Sequence, residues 1–329
     1  MRMKALILPP ERQLESLSNP TGRALIEQSF DTYWNISGQD YAPDQLAALL
    51  SQAQVIVTGP QTPPLSPQIL AKAEHLAWWI HAGGSIKSVA PESVFDRGVR
   101  CFTAKGRRAA TVGEWCLGAL LTLLRQLNAY DSDMHLGYWN EQPNGRELFG
   151  ATVGVVAASA TARAFIALLA PFQCRVLVYD PYLSIPQANA LGVKIASLQE
   201  VMACPIVSLH APCLPLTEGM ITAELLERMP DGGVLINSAD ARLVDGQALM
   251  RHLASGRVSA ALDVYDKEPL PANHALRNLK NVLLTPRIAG DSALGRQQWL
   301  QAAAEDCLTA MEGLPVACEV TRDTWPIID

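Results

Sequence analysis

Residues 154–165 read GVVAASATARAF. The apolar run that leads into this stretch, ATVGVVA, reads as a buried strand, and TARAFIALLAPF behind it reads as a helix. A second apolar run, RVLVYD, follows and ends on Asp180. Strand, tight turn, helix, strand and an acidic residue make up the dinucleotide-binding βαβ unit, in which the turn lies against a pyrophosphate and the acid takes ribose hydroxyls. The glycine positions of such a turn (G-x-G-x-x-G) fall on Ala157, Ser159 and Ala162. Alanine is accepted at the third position. At the first it costs about 1 kcal/mol wherever the turn demands a left-handed residue. At the second, the Cβ and hydroxyl of Ser159 are expected to project toward the space of the pyrophosphate. Two readings stay open: the hydroxyl donates to a phosphate oxygen at a helix N-terminus that still attracts the anion, or side chains fill the turn and NAD binds weakly or not at all. Ala157, Ser159, Thr161, Ala162 and Asp180 are the candidate cofactor residues. Pro181 and Tyr182 bring no positive charge for a 2′-phosphate, so the cofactor expected is NAD rather than NADP.

Outward from this unit the same alternation continues. PIVSLHA, GVLINSA, VSAALDVY and NVLLTPRIAG read as strands, and SLQEVMA, TAELLERM and GQALMRHLASG as helices. Upstream, KALILPP, QVIVTGP, LAWWIHAGG and VRCFTAK read as strands, with PDQLAALLSQA and SPQILAKAE as helices between them. A long helix over AATVGEWCLGALLTLLRQLNAYDSDMH joins the two series and carries apolar residues on more than one face, as a helix covered by a second subunit would. The last helix, SALGRQQWLQAAAEDCLTAMEG, is expected to return to the first series. The fold class is α/β with two doubly wound parallel-sheet domains: a Rossmann-type central domain over 106–292, and a flavodoxin-like split domain over 1–105 and 293–329.

Composition narrows the function. A net charge of −6 argues against a nucleic-acid surface. No apolar run has membrane-spanning length, and the N-terminal MRMKALILPP reads as a first strand rather than a signal peptide. The seven cysteines are scattered without a C-x-x-C, as free thiols of a reducing cytoplasm are, and neither they nor the six histidines have metal-ligand spacing.

The segments GYWNEQPNGRELFGATVGVV, VLVYDPY, VSLHAP, GGVLINSADARLVDGQAL, AALDVYDKEPLP and NVLLTPRIAG, in this order, resemble the D-isomer-specific 2-hydroxyacid dehydrogenases over essentially the whole chain. The resemblance implies an NAD domain, a split substrate domain, a cleft between them for a small anionic ligand, and a homodimer. It also implies where chemistry sits. The family's N-x-x-R-G arginine falls on Asp240, with Arg242 two residues on as a substitute anion ligand. The T-P-H histidine falls on Arg287. The glutamate that orients that histidine is retained as Glu268, and Asp263 falls where the family aspartate faces the nicotinamide. The substrate loop falls on Gly83, Gly84, Ser85 and Lys87, with Arg107 and Arg108 adding positive charge and His81 as a relocated acid or base.

An imidazole exchanges a proton near neutral pH; a guanidinium has no acceptor lone pair and stays protonated. Conventional hydride transfer is therefore disfavoured on the sequence alone. The reading preferred there is a non-redox acid–base enzyme using Asp240 and Glu268, with Arg287 completing the catalytic set. The alternatives are an NAD-dependent oxidoreductase of 2-hydroxy or 2-oxo acids with an atypical site, and a non-catalytic dimeric binding or scaffold protein. For the side chains alone, a fixed Glu268–Arg287 ion pair shared with Asp240 is the simplest outcome.

Overall fold

A computed structural model describes residues 2–316 and 318–327. Its strands, in chain order, are β1 (Lys4–Ile7), β2 (Asp31–Tyr33), β3 (Val55–Thr58), β4 (Trp78–His81), β5 (Arg100–Thr103), β6 (Thr152–Val156), β7 (Arg175–Tyr179), β8 (Lys194–Ile195), β9 (Ile206–Leu209), β10 (Gly233–Asn237), β11 (Val258–Leu262), β12 (Val282–Leu284) and β13 (Glu319–Val320). Among the described residues they form two sheets, which confirms the α/β class. The chain divides into two compact units, Met1–Arg108 with Asp291–Asp329, and Ala109–Gly290.

The first unit holds a six-stranded sheet in the order β13-β5-β4-β3-β1-β2. Five strands are parallel, and β13 closes the edge antiparallel to β5. That antiparallel strand departs from the all-parallel expectation. Two helices not anticipated from the sequence, Glu11–Leu17 and Pro20–Ser29, stand between β1 and β2. The second begins as its chemistry dictates: Pro20 fills the first helical position, and the Asn19 side chain accepts the Gly22 N–H. The C-terminal helix Trp299–Met311 packs on β4, β5 and Pro20–Ser29. It is preceded by a separate short helix, Ala293–Gln297.

The second unit holds a seven-stranded, wholly parallel sheet in the order β12-β11-β10-β9-β6-β7-β8. Strand order reverses between β6 and β9, which opens a crevice at their C-terminal ends. Side chains alternate between two cores. Val153, Val155, Ile206, Val234 and Ile236 pack with Cys116, Leu120 and Phe165 on one face. Val156, Val207, Leu209 and Leu235 pack with Met202, Leu226 and Leu253 on the other. The long helix is broken: Lys105–Leu124 and Leu127–His135 are separated at Gln126, whose φ of +52° cannot continue a right-handed helix.

Gly154 lies in β6 where a Cβ would come within 2.5 Å of the Val201 carbonyl oxygen. Backbone cannot yield there as a flexible side chain would, so Gly154→Ala is expected to cost about 1–3 kcal/mol in a urea titration.

Candidate functional site

The candidate residues of the second unit stand at the C-terminal ends of its strands, the edge where open parallel sheets bind ligands. After β6 the chain turns through Ala157, which holds φ +71° although it carries a Cβ. Its N–H donates to the Tyr179 carbonyl at 2.8 Å. The Ala158 N–H donates to Asp180 Oδ2 at 2.7 Å, and Asp180 Oδ1 accepts the Tyr182 N–H at 2.7 Å. Ser159 has ordinary extended geometry and caps the helix Ala160–Leu169. Its hydroxyl accepts the Ala162 N–H at 3.4 Å and lies 3.0 Å from Thr161 Oγ1. The hydroxyl is therefore folded back onto the helix, which corrects the expectation that it projects into phosphate space. Ala162 is fully buried, as close helix–strand packing requires.

The turn thus keeps the backbone course of a dinucleotide cradle without a glycine. The strain is placed at Ala157. The N–H groups of Ala160 and Thr161, in the first helical turn, have no intrahelical acceptor and face the helix N-terminal field. These residues fit a dinucleotide: the diphosphate at the turn, the ribose at Asp180.

One group here was missed from the sequence. His210, just past β9, is buried and neutral, held down to about 3 by desolvation. Its Nδ1 lies 3.0 Å from Thr161 Oγ1 and its Nε2 lies 2.8 Å from Ser208 Oγ. The signal was present in VSLHAP, where two polar residues two apart share one face of a buried strand.

The residues that follow β10, β11 and β12 resolve into two arginine–carboxylate pairs. Asp240 caps the short turn Ala241–Leu243. Its Oδ1 accepts the Arg242 N–H at 2.9 Å and Nε at 3.0 Å, and its Oδ2 accepts Nη2 at 2.7 Å. Those hydrogen bonds from Arg242, helped by the charge of Arg287, hold the Asp240 carboxyl below its usual range. Glu268 takes Arg287 Nη1 at 3.2 Å on both oxygens and accepts the Tyr265 N–H at 3.1 Å.

A carboxylate pair doing acid–base work needs one member raised toward neutrality by its like-charged neighbour. Here each carboxylate has its own arginine, and Asp240 moves the other way. The ion pair Glu268–Arg287 is present, but Asp240 is chelated by Arg242 rather than shared with it. Asp263, buried at the end of β11, is fully engaged: it accepts Thr285 Oγ1 at 2.6 Å, the Ile288 N–H at 2.8 Å and the Ala289 N–H at 2.9 Å. It thereby fixes the loop that carries Arg287, itself left-handed at φ +57°. A cavity of about 550 Å³ lined by Tyr265, Glu268, Leu270, Arg277, Thr285 and Arg287 opens beside this pair.

The loop Gly83–Lys87 lies in the other unit. A Cβ on Gly83 would meet the buried His81 ring at 2.4 Å, which requires glycine there, whereas one on Gly84 would meet the mobile end of Arg108 at 2.7 Å, which a shift of that side chain relieves. Lys87 is exposed and its N–H donates to Ser85 Oγ at 3.4 Å. His81 is fully buried, with Nδ1 2.9 Å from Thr58 Oγ1. Its Nε2 has no well-formed partner, the Ser85 backbone offering a weak one, and desolvation holds it down to about 4. Among the described residues no group of three or more His, Cys, Asp or Glu could hold a metal ion, and no helix is long and apolar enough to cross a membrane.

A doubly wound sheet with this turn and this acid has the architecture of the dinucleotide-binding α/β class. Residues 117–289, more than half of the chain, match the family model described as D-isomer specific 2-hydroxyacid dehydrogenase, NAD binding domain, and the chain belongs to that family. It is 30% identical over 297 residues to D-3-phosphoglycerate dehydrogenase of Mycobacterium tuberculosis, covering 89% of this chain and 55% of that one. It is 29% identical to the putative 2-hydroxyacid dehydrogenase YoaD of Bacillus subtilis, covering 83% of this chain and 82% of that one. The chain spans about half the length of the phosphoglycerate dehydrogenases it matches first. Among solved structures it superimposes on a phosphoglycerate oxidoreductase from Rhizobium etli with a TM-score of 0.81 at 28% identity, covering 97% of this chain and 99% of that one.

The two buried histidines carry a stability consequence. In the unfolded chain both regain a pKa near 6.5 and take up protons as pH falls through it; in the fold they stay neutral down to about 4 for His81 and about 3 for His210. Stability is full above pH 7 and is lost as pH drops below about 6.5, with a slope approaching 1.4 kcal/mol per pH unit for each histidine. Urea midpoints measured from pH 7.5 to 5 are expected to fall with a slope equivalent to about two protons; a flat profile would contradict the burial of both rings.

Proposed function

We propose that this chain is an NAD-dependent oxidoreductase of a small 2-hydroxy or 2-oxo acid, with a reaction site built on arginine rather than histidine. The observation that carries the reading is Ala157: a non-glycine residue holds the left-handed first position of the dinucleotide turn at φ +71°. Backbone strain of this kind persists where the surrounding structure has a use for it. The family match and the dehydrogenases among the relatives support the redox alternative over the non-redox one. The two arginine–carboxylate pairs speak against Asp240 and Glu268 as an acid–base couple.

When bound, the nicotinamide supplies or takes the hydride at the carbon that bears the substrate oxygen. Asp180 orients the adenosine ribose and, being negative, repels a 2′-phosphate, which selects NAD. Arg287, which gives Nη1 to Glu268, is the cation suited to a carboxylate or a polarised carbonyl oxygen, whereas the Nε–Nη2 fork of Arg242 is taken by Asp240. Glu268 fixes Arg287, and Asp263 fixes the loop that carries it.

A guanidinium can polarise but not exchange a proton. Reduction of 2-oxo acids with NADH is therefore expected to be slow and to lack a rate step at pH 6–7. Arg287→His, beside the retained Glu268, is expected to raise kcat by about 100-fold and to introduce that step. Absence of NADH binding in a tryptophan-fluorescence titration at millimolar cofactor would sink the assignment.

We also infer that the chain works as a homodimer. The segment after the helix break exposes large apolar side chains close together in sequence: Leu136 is 69% exposed, Trp139 75% and Phe149 59%, with Met134 and Tyr138 between or beside them. Monomers rarely leave such a run uncovered. Sedimentation should give a dimer, and Leu136→Asp with Trp139→Asp a folded monomer; a monomeric parent protein would refute the inference.

A further inference from the structure

The dinucleotide turn carries a hydroxyl–imidazole chain. Ser159 Oγ lies 3.0 Å from Thr161 Oγ1, Thr161 Oγ1 lies 3.0 Å from His210 Nδ1, and His210 Nε2 lies 2.8 Å from Ser208 Oγ. Ser208 is fully buried in β9 and His210 is 4% exposed, with its ring 5.8 Å from that of Phe165. The His210 backbone is pinned as well, its N–H donating to the Val156 carbonyl at 2.9 Å. A buried polar chain in an otherwise apolar core is costly unless every member is satisfied.

A neutral imidazole has one N–H and one lone pair. Both of its partners here are hydroxyls, which donate or accept equally well, so the protein alone leaves the tautomer undecided. With the proton on Nε2, His210 donates to Ser208 and accepts the Thr161 hydroxyl proton, which then points inward. With the proton on Nδ1, His210 donates to Thr161, Ser208 donates to Nε2, and the Thr161 proton is released toward the turn. Ser159 accepts from the Ala162 N–H, and its hydroxyl lies back against the helix within reach of Thr161 Oγ1. A phosphate oxygen is an acceptor only, so it selects the second state.

We propose that Thr161 is the phosphate donor of this turn and that His210 is the positioning residue that turns its hydroxyl outward, the pair replacing what a glycine turn achieves by close backbone approach. This deepens the NAD reading given above and rests on it for the identity of the ligand. The chemistry recognised is a diphosphate, whether inorganic or within a dinucleotide. The Thr161 hydroxyl and the first-turn N–H groups would meet it together, and charge-assisted hydrogen bonds of this kind are the strong ones.

The test uses the full chain with histidine labelled in its ring nitrogens. Inorganic pyrophosphate and NADH, added separately to saturation, should each drive His210 to the Nδ1–H tautomer in long-range proton–nitrogen spectra. Thr161→Val, isosteric and without the hydroxyl, should weaken pyrophosphate and NADH by about 10-fold or more while leaving adenosine affinity unchanged, and Thr161→Ser should restore both. His210→Asn, which keeps an N–H near the Nδ1 position, should bind better than His210→Phe. Unchanged pyrophosphate affinity in Thr161→Val, no tautomer response, or a wild type that binds no pyrophosphate would each overturn the proposal. The outcomes also separate the two readings. Pyrophosphate bound through Thr161 without NADH binding leaves the relay and removes the oxidoreductase; NADH bound with unchanged affinity in Thr161→Val does the reverse.

Discussion

The second unit depends on a single constraint: a wholly parallel sheet is stable only when both faces are covered, and parallel neighbours require a crossover for every connection. The chain meets it with runs such as Val153–Val156 and Ile206–Leu209, in which alternate side chains feed two different cores. The strands' C-terminal ends are thereby gathered on one edge. The turn at Ala157, the acid at Asp180, the ring of His210 and the segments after β10 and β11 stand on that edge for this reason. None of them is adjacent in sequence to the next.

On that edge, charge is organised by pairing rather than by perturbation. Asp240 and Glu268 each face a guanidinium, and Asp263 spends its lone pairs on the loop that carries Arg287. The exposed pairs are worth little as stabilising contacts, because solvent screens them. Their effect is geometric: each holds a partly exposed guanidinium at a fixed place beside its carboxylate. The buried histidines follow the opposite logic. Desolvation keeps them neutral, so they act as hydrogen-bonding parts and not as charges.

Much of this was legible in the order of residues. The alternation of apolar runs and helical stretches specified two α/β domains, because period and run length are local properties that the fold must respect. The sequence also placed an acid at the end of β7 and paired Glu268 with Arg287. Breaks were less legible. Nothing in RQLNAY marks Gln126 as left-handed, since the residue is neither glycine nor asparagine. The edge strand β13 is too short to carry a period at all.

By itself, then, the sequence determined the family, the sheet architecture and the residue types at the turn and at the strand ends, because those follow from spacing and side-chain chemistry. Only the tertiary structure decided what the side chains do. Ser159 folds back onto its own helix, Asp240 is taken by Arg242, and Thr161 finds a histidine 49 residues away. Each outcome depends on which partner comes within hydrogen-bond reach, and that distance is set by how strands lie side by side rather than by how far apart residues stand along the chain.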